Sequence, residues 1–119
     1  MKEIKAIIQP FMLEHVLDAL RGITDLPGLT LSKVLGWGRT RAVGAPRTVH
    51  ESGHAFAEKI KLEIIVEDEL VEMITQVIVH AAQTGNPGDG KVFVHDLDSA
   101  TGIRRGEVLY SRASQGDIK

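Results

Sequence analysis

Cysteine is absent from these 119 residues. That excludes a disulfide framework, zinc–thiolate sites and thiol catalysis, and it fits a reducing compartment. Aromatic residues make up only 4% of the chain, which argues against a base-stacking platform. Neither sign of charge dominates. Fourteen Lys and Arg face sixteen Asp and Glu, for a net charge of −2 with no basic run, so nucleic acid is not an expected partner. No apolar run approaches the roughly 18 residues that a membrane span needs. The opening around Ile4, Lys5 and Ile7 is too short and interrupted for the core of a signal peptide. With 43% apolar and 25% charged residues, residues 1–119 read as one soluble, cytoplasmic domain with a single core.

Glycine is plentiful, and its placement is informative. Thr84-Gly85-Asn86-Pro87-Gly88-Asp89-Gly90-Lys91 sits between a helical pattern and a strand pattern. A loop so poor in side chains exposes backbone N–H groups that can form an anion-binding nest, and Lys91 adds a cation at its exit. The plain alternative is a tight turn.

Residues 3–9 are apolar-rich and read as a strand. Pro10 follows where a first helical turn tolerates a missing N–H. Leu13, Val16, Leu17 and Leu20 then form a helical stripe ending at Arg21-Gly22. A second strand runs from Leu29 to Trp37. In residues 38–57 Gly38, Gly44, Pro46 and Gly53 break any period, and so long a loop inside a small domain points to function. Lys59 to Val66 alternates as a third strand. Leu70, Met73, Ile74, Val77, Ile78 and Ala81 mark a second helix, with Glu67, Asp68 and Glu69 favouring its N-terminus. Lys91 to Leu97 is the fourth strand, and residues 108–119 read as a frayed tail. The order β-α-β, β-α-β predicts an α+β, ferredoxin-like antiparallel sheet with both helices on one face. Ile7 and Ile65 point to the uncovered face, so oligomerisation is the expected means of burying it.

Several blocks then resemble the P-II nitrogen regulatory proteins: Ile7-Ile8-Gln9-Pro10-Phe11, Gly36-Trp37-Gly38-Arg39, Lys59 through Ile64, Ala82-Gln83-Thr84-Gly85 through Lys91, and Arg104-Arg105-Gly106-Glu107. Together they cover roughly residues 1–107. The resemblance implies a non-catalytic homotrimer that binds ATP or ADP between subunits and relays metabolic status to a protein target. It implies that Gly88, Asp89, Gly90 and Lys91 hold phosphates, helped by Arg39 and by Arg104 of a neighbouring subunit. It places Ile7, Thr30, Gly36, Glu63 and Ile65 around the adenosine. Phosphate oxygens need N–H groups and cations at short range, and Gly36 and Gly38 allow a nucleotide close to the backbone.

The chain departs from the family pattern at several places. Ser52 stands where many relatives carry a modifiable tyrosine, so uridylylation at this loop is excluded. Thr40 replaces a glutamine that helps coordinate the magnesium used in 2-oxoglutarate sensing, although Lys59 keeps the carboxylate-pairing position; that effector is left open. Gly102 replaces one of two phosphate-binding arginines. Arg105, beside Arg104, would point to the opposite face of a strand and not substitute. Asn86 replaces a basic residue. Two missing cations predict that ADP or AMP competes well with ATP, any magnesium coming with ATP.

His50, Glu51 and His54 offer imidazole and carboxylate groups suited to zinc, copper or nickel. The histidines share a face only in a helix, which Gly53 opposes. Arg41 and Arg47 are candidate partner contacts. The target is expected to be a membrane transporter (for ammonium, inorganic carbon or cation efflux) or a metabolic enzyme. Alternative readings are a metal-responsive trimeric module and a slow ATPase, the latter lacking a Walker A signature or a nucleophile–base pair.

Overall fold

The computed structural model describes residues 1–37, 48–51 and 54–113. Strand β1 (Lys2–Ile8) leads through a short 3-10 turn at Pro10–Met12 into helix α1 (Leu13–Arg21). Then come β2 (Leu29–Gly36), β3 (Thr48–Glu51), β4 (His54–Val66), helix α2 (Val71–Ala82) and β5 (Gly90–Asp96). The small strands β6 (Ser99–Thr101) and β7 (Val108–Ser111) follow.

The main sheet has the order β2-β4-β1-β5, every neighbour antiparallel, with β3 paired to the start of β4. This is the split β-α-β arrangement expected from the element order. Each β-α-β unit leaves a gap between its parallel strands, and a strand of the other unit fills it.

Strand alternation decides which face is dry. Ile4, Ala6 and Ile8 on β1 and Ile60, Leu62, Ile64 and Val66 on β4 are buried beneath Val16 and Leu20 of α1 and Ile74, Ile78 and Ala82 of α2. Both helices therefore cover one face. The opposite face carries Lys5, Ile7, Lys59, Lys61, Glu63, Ile65 and Phe93. Ile7 lies opposite Lys61 and Lys91, and Ile65 opposite Glu3, as the sequence predicts for the uncovered side.

Four expectations need correction. Met73 is exposed, and Ala82 takes its place in the core of α2. The stripe drifts because successive contacts along one helix face are three or four residues apart, and the face ends on Ala82, not Met73. The third strand begins at His54, not Lys59. Residues 48–51 and 54–57 pair as a hairpin inside what reads as a structureless loop. Residues 108–111 are not frayed: β7 pairs with β6, and Arg112 closes on Asp98 at 3.2 Å. Arg104 and Arg105 lie in the turn between β6 and β7, so strand alternation does not govern them.

Candidate functional site

The loop from Thr84 to Lys91 is built around one carboxylate. Asp89 Oδ2 accepts from the Thr84 and Gly85 backbone N–H groups at 2.7 and 3.0 Å, and Oδ1 accepts from the Thr84 hydroxyl at 2.6 Å. The Asn86 N–H donates to Thr84 Oγ1 at 3.2 Å. These donors, the Thr84 hydroxyl foremost, hold the Asp89 carboxyl below its ordinary pKa. The carboxylate is thus an organiser of the loop and does not point at a ligand as a bare charge. If this loop holds phosphates, Asp89 contributes through its backbone.

Glycine is required at Gly90. Its φ is +119°, and a Cβ there would sit 1.9 Å from the Ile7 carbonyl oxygen. Strand β5 therefore presses directly on β1 where the loop enters the sheet. Gly88 and Gly85 also have positive φ. The Gly88 carbonyl accepts from the buried Gln9 side chain and from Lys59 Nζ, the latter at 3.2 Å.

A cleft of about 810 Å³ opens beside this loop. Asn86, Pro87, Gly88, Asp89, Gly90 and Lys91 form one wall; Ile7, Gly36, Trp37, Ala55, Ala57, Lys59 and Phe93 form the rest. Its character is an apolar floor with two ammonium groups and a loop of backbone amides. Burial pushes the Lys59 ammonium below its ordinary pKa, partly offset by the charge of Asp89. Trp37 stands at the rim, its ring 5.1 Å from that of His54 and 6.2 Å from that of Phe56.

The structure brings together Ile7, Gly36, Lys59, Gly88, Asp89, Gly90 and Lys91. It does not bring Thr30, Glu63 and Ile65 to them. Thr30 pairs with Glu63 on the same open face, and Glu63 lies 3.7 Å from Lys61. But Glu63 is four residues along β4 from Lys59, about 13 Å at roughly 3.3 Å per residue. Arg104 is exposed and does not line the cleft. Its hairpin is rooted where Leu97 N–H meets the Met1 carbonyl at 3.3 Å, the end of β1 away from Gly90. Gly102 closes the hairpin turn, donating to the Glu107 carbonyl at 2.8 Å.

Gly38, Arg39, Thr40, Arg41, Arg47 and Ser52 lie outside the described residues. The backbone of 48–51 is extended, with His50 paired to Ala55 and Glu51 to His54. The helical spacing that would align His50 with His54 is therefore absent. No group of three His, Asp or Glu able to hold a metal occurs among the described residues. No described helix is long and apolar enough to cross a membrane.

Sequence reasoning found Gln9 and Trp37 within family-like blocks but gave neither them nor Phe93 a place in the site. A signal existed for Gln9: it is a polar residue at the end of an apolar strand, just before Pro10. Phe93 sits within the apolar run Val92-Phe93-Val94, where period two gives no sign of which face it takes.

Residues 1–107 match the family model "Nitrogen regulatory protein P-II". The chain is similar to proteins of that name from Rhodospirillum rubrum (43% identical), Haemophilus influenzae (41%) and Synechocystis (40%). Each match covers 90% of this chain and 95% of the relative.

Proposed function

Because the chain belongs to the P-II family of nitrogen regulatory proteins, we propose that it senses adenine nucleotide in the cleft beside the Gly-rich loop and signals through residues 38–57. P-II proteins are non-catalytic signal transduction regulators that bind adenine nucleotides, typically form trimers and act on protein targets. The observation that carries the proposal is the cleft itself. Lys59, Lys91 and the glycine-rich backbone of residues 86–91 line it together with Ile7 and Gly36, a pairing that suits a phosphate chain joined to a flat base.

Thr30, Glu63 and Ile65 share the open face of the sheet with Ile7 but do not line this cleft. A trimer resolves this: the open face of one copy meets the cleft of the next, and Arg104 arrives from a neighbour. The exposed apolar residues Ile103, Val108 and Leu109 of the β6–β7 hairpin fit such an assembly. Asp89, the carboxylate lining the described cleft, is engaged by Thr84 and Gly85, so magnesium would enter on the phosphates of ATP. Arg39 and Gly38 complete the phosphate side in this reading, and Thr40, Arg41 and Arg47 face the partner. The partner is a membrane transporter or a metabolic enzyme.

With Asn86 and Gly102 at positions where relatives carry cations, the site is expected to hold ADP or AMP about as well as ATP. Titration calorimetry with all three tests this. ATP bound at least tenfold tighter than ADP overturns the preference, and absence of binding by all three overturns the function. Sustained ATP turnover near ~1 s⁻¹ would favour an enzyme instead.

A further inference from the structure

Two side chains from different strands meet on a single carbonyl of the Gly-rich loop. Gln9, fully buried where β1 ends, donates its Nε2 to the Gly88 oxygen. Lys59 of β4 donates to the same oxygen at 3.2 Å. A carbonyl has two lone pairs and can satisfy both. The two donors are not alike. Lys59 lines the cleft and is charged, so an incoming anion draws it away from the carbonyl. Gln9 is neutral, sealed from solvent and absent from the cleft wall, so no ligand competes for it.

The other end of the Gln9 amide is informative. Its Oε1 is buried and meets no donor among the described residues. An apolar side chain of the same volume would avoid that penalty. A buried amide with one unsatisfied end is tolerated here because its donor end does something hydrocarbon cannot. In a trans peptide the C=O and the following N–H point in opposite directions. Anchoring the Gly88 oxygen toward Gln9 therefore turns the Asp89 N–H away from β1.

We infer that Gln9 is the positioning residue of the anion-binding loop: it fixes the Gly88–Asp89 peptide plane, so the loop keeps its amide orientation when Lys59 leaves to meet an anion. This rests on reading the cleft as a phosphate site. Gln9 itself touches no ligand.

The test uses the full chain with Gln9→Met, which keeps volume and loses the donor, and Gln9→Leu, which loses both polar ends of the amide. In both, amide hydrogen exchange across residues 84–91 should quicken about fivefold or more, the range of one lost hydrogen bond. Exchange in residues 60–66 should not change. ADP affinity should fall by a similar factor, whereas adenosine, which has no phosphate, should bind as before. General structural damage would instead speed exchange in both regions and weaken adenosine equally, and that result overturns the inference. So does unchanged loop exchange in both variants. If the unaltered protein binds neither ADP nor ATP, the function proposed above falls, and loop exchange alone then decides whether Gln9 positions the loop.

Discussion

Two glycine-bearing turns, at residues 84–90 and 102–106, close in different ways. The first is tied to the body of the fold. Asp89 gathers Thr84 and Gly85, Gly88 is held by Gln9 and Lys59, and Gly90 packs on Ile7. The second closes on itself, Gly102 donating to Glu107 and Gly106 to Gly102. It leaves Ile103 fully exposed and Arg104 and Arg105 in solvent. A turn fixed by distant strands offers a rigid receiving surface. A turn closed only by its own backbone projects its side chains outward, which suits a group delivered to another molecule.

The sharpest break of this contrast is Gly90→Ala. The new Cβ would overlap the Ile7 carbonyl, and φ of +119° is strained for any L side chain. Strain and overpacking together predict a loss of about 3 kcal/mol or more, read by chemical denaturation. A loss under about 1 kcal/mol would mean that β5 slides freely on β1, and the first turn would no longer be the rigid one.

Asp89→Ala comes next. It removes an acceptor from three donors in the 84–91 turn, at an expected loss of about 1–2 kcal/mol because solvent reaches those amides. The pH dependence has a definite sign. The folded carboxyl titrates below its ordinary value, so its contribution is complete above the unfolded pKa of about 4 and vanishes as pH falls through the lower folded value. Denaturation should therefore separate wild type from Asp89→Ala fully at pH 7, and the gap should narrow progressively as pH falls below about 4.

Much of this contrast was legible in the sequence, but unevenly. Strand alternation in β1 and β4 marked the two faces of the sheet, because period two is a direct consequence of the pleat. The glycines and Lys91 marked the receiving loop. What escaped was long-range. Nothing local says that Gln9 reaches Gly88, since 79 residues of chain separate them and only sheet register joins them. The β3–β4 and β6–β7 hairpins escaped because their strands are three or four residues long, or extend one already found, and carry little periodic signal. Thr30, Glu63 and Ile65 were matched to the site by resemblance alone, and a single chain holds them apart from Lys59.

Lys91→Met probes the receiving turn as a ligand surface. Lys91 lines the cleft beside the glycine backbone, and on the proposed function losing this cation should weaken ADP about tenfold, roughly 1.4 kcal/mol, with little change in stability. The sole tryptophan, Trp37, lines the same cleft, so its fluorescence reports the titration directly. Lys59 adds a pH signature. Since burial lowers its pKa and only the ammonium attracts anions, ADP affinity should decline at a more alkaline pH but earlier than an ordinary lysine would dictate. Affinity flat to pH 10.5 would remove Lys59 from the site.

The smallest effect sharpens the comparison most finely. Gly85 and Gly106 both have positive φ, +86° and +67°, and at neither would an added Cβ meet anything within 4 Å. Space is therefore equal, and backbone conformation alone should separate them. Asparagine tolerates the left-handed region near +57° better than other side chains. Gly106 lies close to that centre and Gly85 further from it. Gly106→Asn should thus cost only a few tenths of a kcal/mol, and Gly85→Asn about 1 kcal/mol. Gly85 also donates its backbone N–H to Asp89, so strain there should weaken ADP, whereas strain at Gly106 should not within a single copy. Equal losses at both sites would show that the Gly85 turn relaxes to the conformation asparagine prefers, and is not held at its φ by the fold.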